Sequence, residues 1–182
     1  MYKLLTLFFM LIYLSACGSV HYTNLHQRSD NSKIMRLSAL LENISHNKQE
    51  SDELATLAVT YSKALANRYN LVSPPSYHNF LVNSGKRQKG LCYDFVYDLM
   101  DEIRSRHFKS FQFKWGRANG DALNEHNVIV VLSPGTDFQD GIILDAWRNS
   151  GRVYFVRVKD DPKYHFTDWK EGDKRITRGS LK

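Results

Sequence analysis

The 182-residue sequence contains only two cysteines, Cys17 and Cys92. That excludes a disulfide-rich scaffold and a four-thiolate zinc site. There is no internal repeat, no glycine-rich phosphate loop and no dinucleotide fingerprint, so the common nucleotide-binding architectures have no foothold. H-E-x-x-H and close C-x-x-C pairs are also missing. Zinc could be held only by scattered residues, Cys92, His126 and Asp145 with His78 approaching, and no cofactor or metal is expected. Calcium-loop spacing is absent among Asp121, Asp137 and Asp140. Hydrophobic residues make up 42%, which excludes wholesale disorder and leaves room for one domain. The net charge of +6 is modest, so its distribution matters more than its sum.

The two cysteines lie in different settings. The chain opens MYKLLTLFFMLIYLSACGS, one lysine followed by an apolar stretch from Leu4 to Leu14 and then small residues. This is the pattern of a secretory signal, too short for a comfortable membrane span. Leu14-Ser15-Ala16-Cys17 resembles the bacterial lipobox. The resemblance implies a signal peptide over 1–16, lipid on Cys17 and a partner in the lipid bilayer. Gly18 stands where an aspartate would signal inner-membrane retention, so the periplasmic face of the outer membrane is expected in a Gram-negative cell. Several acyl chains give stable anchoring at about 0.8 kcal/mol per buried CH₂. An extracytoplasmic setting argues against nucleic-acid partners, and a core strand explains Phe111, Phe113 and Trp115 better than strand-binding aromatics do.

Residues 17–33 are polar and lack a sustained period, which predicts a flexible tether. Ile34, Leu37, Leu41 and Ile44 have helical spacing. Asp52 is the expected N-cap of a longer helix reaching Tyr69, with Leu54, Leu57, Ala58, Tyr61 and Leu65 on its apolar face. Ser73-Pro74-Pro75 ends that region, and Tyr77 to Gly90, with the run Lys86-Arg87-Gln88-Lys89, reads as a loop. A helix then starts at Cys92 and aligns Val96, Leu99 and Ile103 with it. From Phe111 the period changes to two, predicting strands over 111–115, 127–132, 142–147 and 153–158. Helices followed by strands give an α+β domain over 34–169, with helices covering one face of an antiparallel sheet of about four strands. A polar, basic tail is expected over 170–182.

Cys92 stands at a helix start, where free N–H groups and the peptide dipoles favour a thiolate. His126 opens one strand and Asp145 lies on the next. An imidazole can take the thiol proton, and a carboxylate can fix its tautomer. The backbone N–H of Cys92 and the side chain of Gln88 are the expected oxyanion donors. Asn127 would serve the imidazole only if the backbone bends. Should Leu144 face the core, alternation turns Asp145 to solvent; an inward Asp145 requires a partner.

Gly90-Leu91-Cys92-Tyr93-Asp94, Glu125-His126-Asn127-Val128 and Ile143-Leu144-Asp145-Ala146-Trp147 together resemble the transglutaminase-like branch of the papain-like cysteine protease superfamily. The resemblance covers about residues 75–160. It implies a papain-like fold, with Cys92, His126 and Asp145 acting on an amide or isopeptide carbonyl by hydrolysis or acyl transfer. Tyr93 departs from the small residue common after the cysteine. Peptidoglycan peptides or envelope proteins are the expected substrates, and the basic run 86–89 would attract carboxylate-bearing ones. The alternative is a non-catalytic lipoprotein that uses the same fold for protein binding or envelope assembly. A redox thiol is disfavoured because no resolving cysteine remains.

Overall fold

A computed structural model describes residues 18–23 and 28–172. Cys17, the signal segment and residues 173–182, most of the expected tail, lie outside the described residues. Helix α1 (Arg28–Ser45) and helix α2 (Lys48–Arg68) pack against each other and on the sheet. Leu37, Leu41, Leu54, Ala58 and Leu65 fill their shared seam and are fully buried. The periodicity therefore located the right faces. The predicted start of α2 needs correction. Asn47 is its N-cap, accepting from the Glu50 N–H, while Asp52 lies inside the helix and accepts from Ser38 and Lys48.

The expected tether over 17–33 is also corrected. Helix α1 already begins at Arg28, and strand β1 (Gly18–Ser19) pairs antiparallel with β2 (Val72–Ser73). Asn67 holds Tyr22 at both backbone groups, and the Tyr22 hydroxyl donates to the Ser150 carbonyl. The absence of a hydrophobic period said nothing of these bonds, because they are made by backbone groups and polar side chains.

Pro75 begins a helix rather than only ending one. Helix α3 (Pro75–Asn83) replaces part of the expected loop, since a proline at the first helical position has no N–H to lose. Helix α4 (Cys92–Ser105) buries Phe95, Val96, Leu99, Met100 and Ile103 against the sheet.

The main sheet contains β3 (Gln112–Ala118), β4 (His126–Leu132), β5 (Ile142–Leu144) and β6 (Thr167–Asp168), in the order β5-β4-β3-β6 and antiparallel throughout. The architecture is α+β. Residues 153–158 do not form the predicted fourth strand. They run beside β5 through isolated bridges, Ile142 to Arg157 and Asp145 to Tyr154, and the fourth strand is β6 on the opposite edge.

Central β4 is buried along its whole length. Ile129 and Val131 face the helices, while Val128, Val130 and Leu132 face a second cluster with Ile143, Val158 and Phe166. The sheet is thus covered on both faces, by helices on one and by the irregular C-terminal segment on the other. That second cover buries the face on which Asp145 lies.

Candidate active site

The approach to Cys92 is built from a histidine and a glycine. His78 is fully buried. Its Nδ1 accepts from the Val72 N–H, so Nε2 carries the proton and donates to the Lys89 carbonyl at 2.9 Å. Both ring nitrogens are occupied by backbone, which removes His78 from any metal reading. Gly90 follows at φ +127, and a Cβ there would meet His78 Nε2 at 2.2 Å. Only glycine fits this close approach. Asp94 then accepts from the Gly90 and Leu91 N–H groups through one oxygen, closing the start of α4. Burial nevertheless raises the Asp94 pKa, outweighing those two donors. Lys89 is tied further along α4 to Asp98, which also accepts from the Tyr69 hydroxyl.

Cys92 is the first residue of α4 and is 7% exposed. His126, at the start of β4, is 1% exposed, and Asp145, just beyond β5, is 1% exposed. His126 Nε2 lies 2.6 Å from Asp145 Oδ2. The other ring nitrogen, Nδ1, is buried and has no hydrogen-bond partner among the described residues, while the Cys92 thiol is near enough to help raise the imidazole's pKa. Burial works against the imidazolium, but Asp145 and then Cys92 overcome it, and the His126 pKa rises to about 9. Asp145 is lowered from its ordinary value. Burial opposes its charge, and the cations His126 and Arg148 more than compensate.

Asp145 has a full set of donors. Its Oδ1 accepts from the Trp147 and Arg148 N–H groups, and its Oδ2 from His126 and from Arg148 Nε at 2.8 Å. Arg148 continues to Asp161 at 2.6 Å and lies over the Tyr154 and Tyr164 rings. The imidazole is packed by Trp147, Tyr164 and Phe166, with centroids at 5.0, 4.5 and 5.8 Å. Sequence reasoning missed Arg148, Asp161, Tyr164 and Phe166. The conflict over Asp145 is resolved without choosing between Leu144 and Asp145. Leu144 faces the helices, and Asp145 faces the second cluster, whose aromatic cover supplies the burial and whose Arg148 supplies the charge.

Asn127 does not serve the imidazole. It faces the other side of β4, and its Nδ2 lies 3.7 Å from Cys92 Sγ. Gln88 lies elsewhere, lining a groove with Arg68, Tyr69 and Asp98. The basic run likewise borders that groove, where Lys89 is paired with Asp98, so it does not line the cleft that reaches Asn127.

That cleft holds about 450 Å³ between Tyr93, Tyr97, Trp115, Trp169, Arg117 and Glu125. Glu125 accepts from Arg117 at 2.5 Å and from Asn127 at 2.9 Å. Although burial opposes its charge, these donors hold its pKa down to about 2. Arg117 also pairs with Asp121 and lies over the Trp169 ring. With two carboxylates against one guanidinium, the rim is net acidic.

Among the described residues, no group of three or more His, Cys, Asp or Glu side chains could hold a metal ion. No described helix is long and apolar enough to cross a membrane. Compared with protein-family models, with curated proteins and with solved structures, the chain matches none.

Proposed function

We propose that this is an envelope lipoprotein, anchored through acylated Cys17, that performs thiol catalysis on an amide or isopeptide bond with Cys92, His126 and Asp145. One observation carries the reading: a buried imidazole is held at Nε2 by a buried carboxylate, and its Nδ1 is left without a hydrogen-bond partner, in a ring whose pKa Cys92 helps to raise. A histidine that served packing alone would not need a carboxylate with three further donors behind it. The papain-like, transglutaminase-like resemblance of the three sequence segments points the same way. Peptidoglycan peptides and envelope proteins are the substrates within reach of such an anchor.

In the reaction, the Cys92 thiolate attacks the carbonyl carbon. The imidazolium at Nδ1 gives its proton to the leaving nitrogen as the C–N bond breaks, and an acyl thioester on Cys92 remains. His126 then takes a proton from water or from a second amine, whose attack breaks the C–S bond and returns the thiolate beside the imidazolium. Water gives hydrolysis and an amine gives transfer. Asp145 keeps its charge throughout, steadying the imidazolium and fixing Nε2–H.

The low exposure of Cys92 favours a second reading, a non-catalytic lipoprotein that binds a partner with the same fold. Iodoacetamide labelling of Cys92 across pH 5–9 separates the two. Catalysis requires a reactive thiol whose rate falls at least tenfold in His126→Ala. A thiol that is inert in both proteins sinks the catalytic reading.

A further inference from the structure

Asn127 is 3% exposed, yet its amide has every polar atom engaged. Oδ1 accepts from the Trp115 indole N–H at 2.6 Å. An indole nitrogen only donates, so this bond fixes which end of the amide is oxygen. Nδ2 is thereby turned toward Cys92 Sγ at 3.7 Å and Glu125 Oε1 at 2.9 Å. Glu125 is held in turn by Arg117 and by the Asp121 N–H. A donor has been locked in one orientation beside the nucleophilic sulfur, and its residue lines an open cleft.

A carbonyl attacked by Cys92 develops negative charge on an oxygen next to that sulfur. Oxyanion donors act from about 2.7–3.1 Å of that oxygen. A donor 3.7 Å from the sulfur is close enough to reach an oxygen two bonds from that sulfur, with the oxygen lying to one side of the line between the two. The Gly90 and Leu91 N–H groups cannot serve, because Asp94 uses both. The N–H of Cys92, in the first turn of α4, has no acceptor within the helix and supplies a natural second donor.

We propose that Asn127, rather than the expected Gln88, is the side-chain oxyanion donor for acyl chemistry at Cys92, and that Trp115 is its positioning residue. This rests on the thiol-acyl reading above and names how that site holds its intermediate. The carbonyl enters along the aromatic cleft with its oxygen toward Asn127 Nδ2. The C–S bond forms as the carbonyl π pair moves onto oxygen, and that pair returns when the leaving group departs.

Two probes separate this role from thiol reactivity itself. p-Nitrophenyl acetate acylates a thiolate through an oxyanion, releasing nitrophenolate. Iodoacetamide alkylates it by displacement at carbon, with no oxyanion. Rates are measured for wild type, Asn127→Ala, Trp115→Phe and Gln88→Ala, with Cys92→Ser as the background. In Asn127→Ala, acylation is expected to fall by about 100–1,000-fold while alkylation changes by less than about threefold. Trp115→Phe keeps a ring in the core and removes only the N–H, so it guards against a misfolded alanine variant; its acylation falls about tenfold with alkylation unchanged. Gln88→Ala leaves both rates unaltered. The proposal is overturned if acylation persists in Asn127→Ala while both probes still react, which leaves the thiol reading intact. An equal fall of both rates also overturns it, because Asn127 would then serve the thiolate alone. A wild-type Cys92 inert to both probes overturns the thiol reading and this proposal with it.

Discussion

His126 Nε2 lies 2.6 Å from Asp145 Oδ2 because β4 and β5 pair in a single register. Ile129 opposite Leu144 brings Asp145 level with Val128. His126 is two residues further along the same face, the diagonal neighbour in an antiparallel ladder. A register slip of one residue would send Asp145 to the helix face and break the pair.

This pair should make stability fall with rising pH. The folded-state pKa of His126 is about 9, above its ordinary value of 6.5, so folding takes up a proton. The stability gained is complete below pH 6.5, shrinks above it and is lost as pH rises through about 9. Urea midpoints at pH 6, 7.5 and 9.5 are expected to decline in wild type more steeply than in His126→Ala. Parallel declines in the two proteins would show that this imidazole binds its proton no more tightly when folded.

Much of this site was legible because its residues occupy positions that elements announce. Cys92 begins a periodic helix, His126 begins an apolar run, and Asp145 interrupts one. The order of helices and strands gave the α+β class for the same reason. What stayed hidden came from backbone pairing and from irregular chain. Gly18 and Ser19 join a strand without any apolar pattern, and the short β6 pairs through two residues. Tyr164 and Phe166 cover His126 from a segment with no period to read. Asn127 could not be assigned because alternation places it away from the imidazole, and only the packing of α4 brings the sulfur to it.

Arg148 joins two carboxylates, Asp145 at 2.8 Å and Asp161 at 2.6 Å, at a largely buried position. Removing it leaves Asp145 short of a donor and Asp161 facing it. Arg148→Met is expected to cost about 3–5 kcal/mol, the range for breaking a buried pair from one side. Arg148→Lys recovers only part of this, because an ammonium cannot span both carboxylates as the guanidinium fork does. Chemical denaturation of the three proteins measures it. A lysine variant as stable as wild type would show that charge alone suffices.

Gly90 and Gly85 offer a paired test of how the loop before Cys92 is held. Both have positive φ, +127 and +73. A Cβ at Gly85 meets nothing within 4 Å, whereas at Gly90 it meets His78 Nε2 at 2.2 Å. Gly85→Ala should cost about 1 kcal/mol of backbone strain. Gly90→Ala adds the collision with a buried, doubly bonded imidazole and should exceed about 3 kcal/mol. It should also displace Cys92 and change its iodoacetamide rate, which Gly85→Ala leaves alone. Equal effects of the two substitutions would remove His78 as the support of this loop.

Asn67 governs how the chain reaches its proposed anchor. Its side chain accepts from the Tyr22 N–H at 2.7 Å and donates to the Tyr22 carbonyl at 2.9 Å, while the Val20 N–H donates to Leu71 at 2.7 Å. Chain bound this closely has no slack, so lipid on Cys17 would hold the domain against the bilayer rather than on a tether. Asn67→Ala removes two hydrogen bonds of about 1 kcal/mol each. The loss is local, since the α2 seam does not depend on this side chain. Hydrogen exchange at the Val20 and Tyr22 amides should therefore be slow in wild type and accelerate by about tenfold or more in Asn67→Ala, with exchange in α2 unchanged. Fast exchange at both amides in wild type would restore the tether and free the domain from the membrane surface.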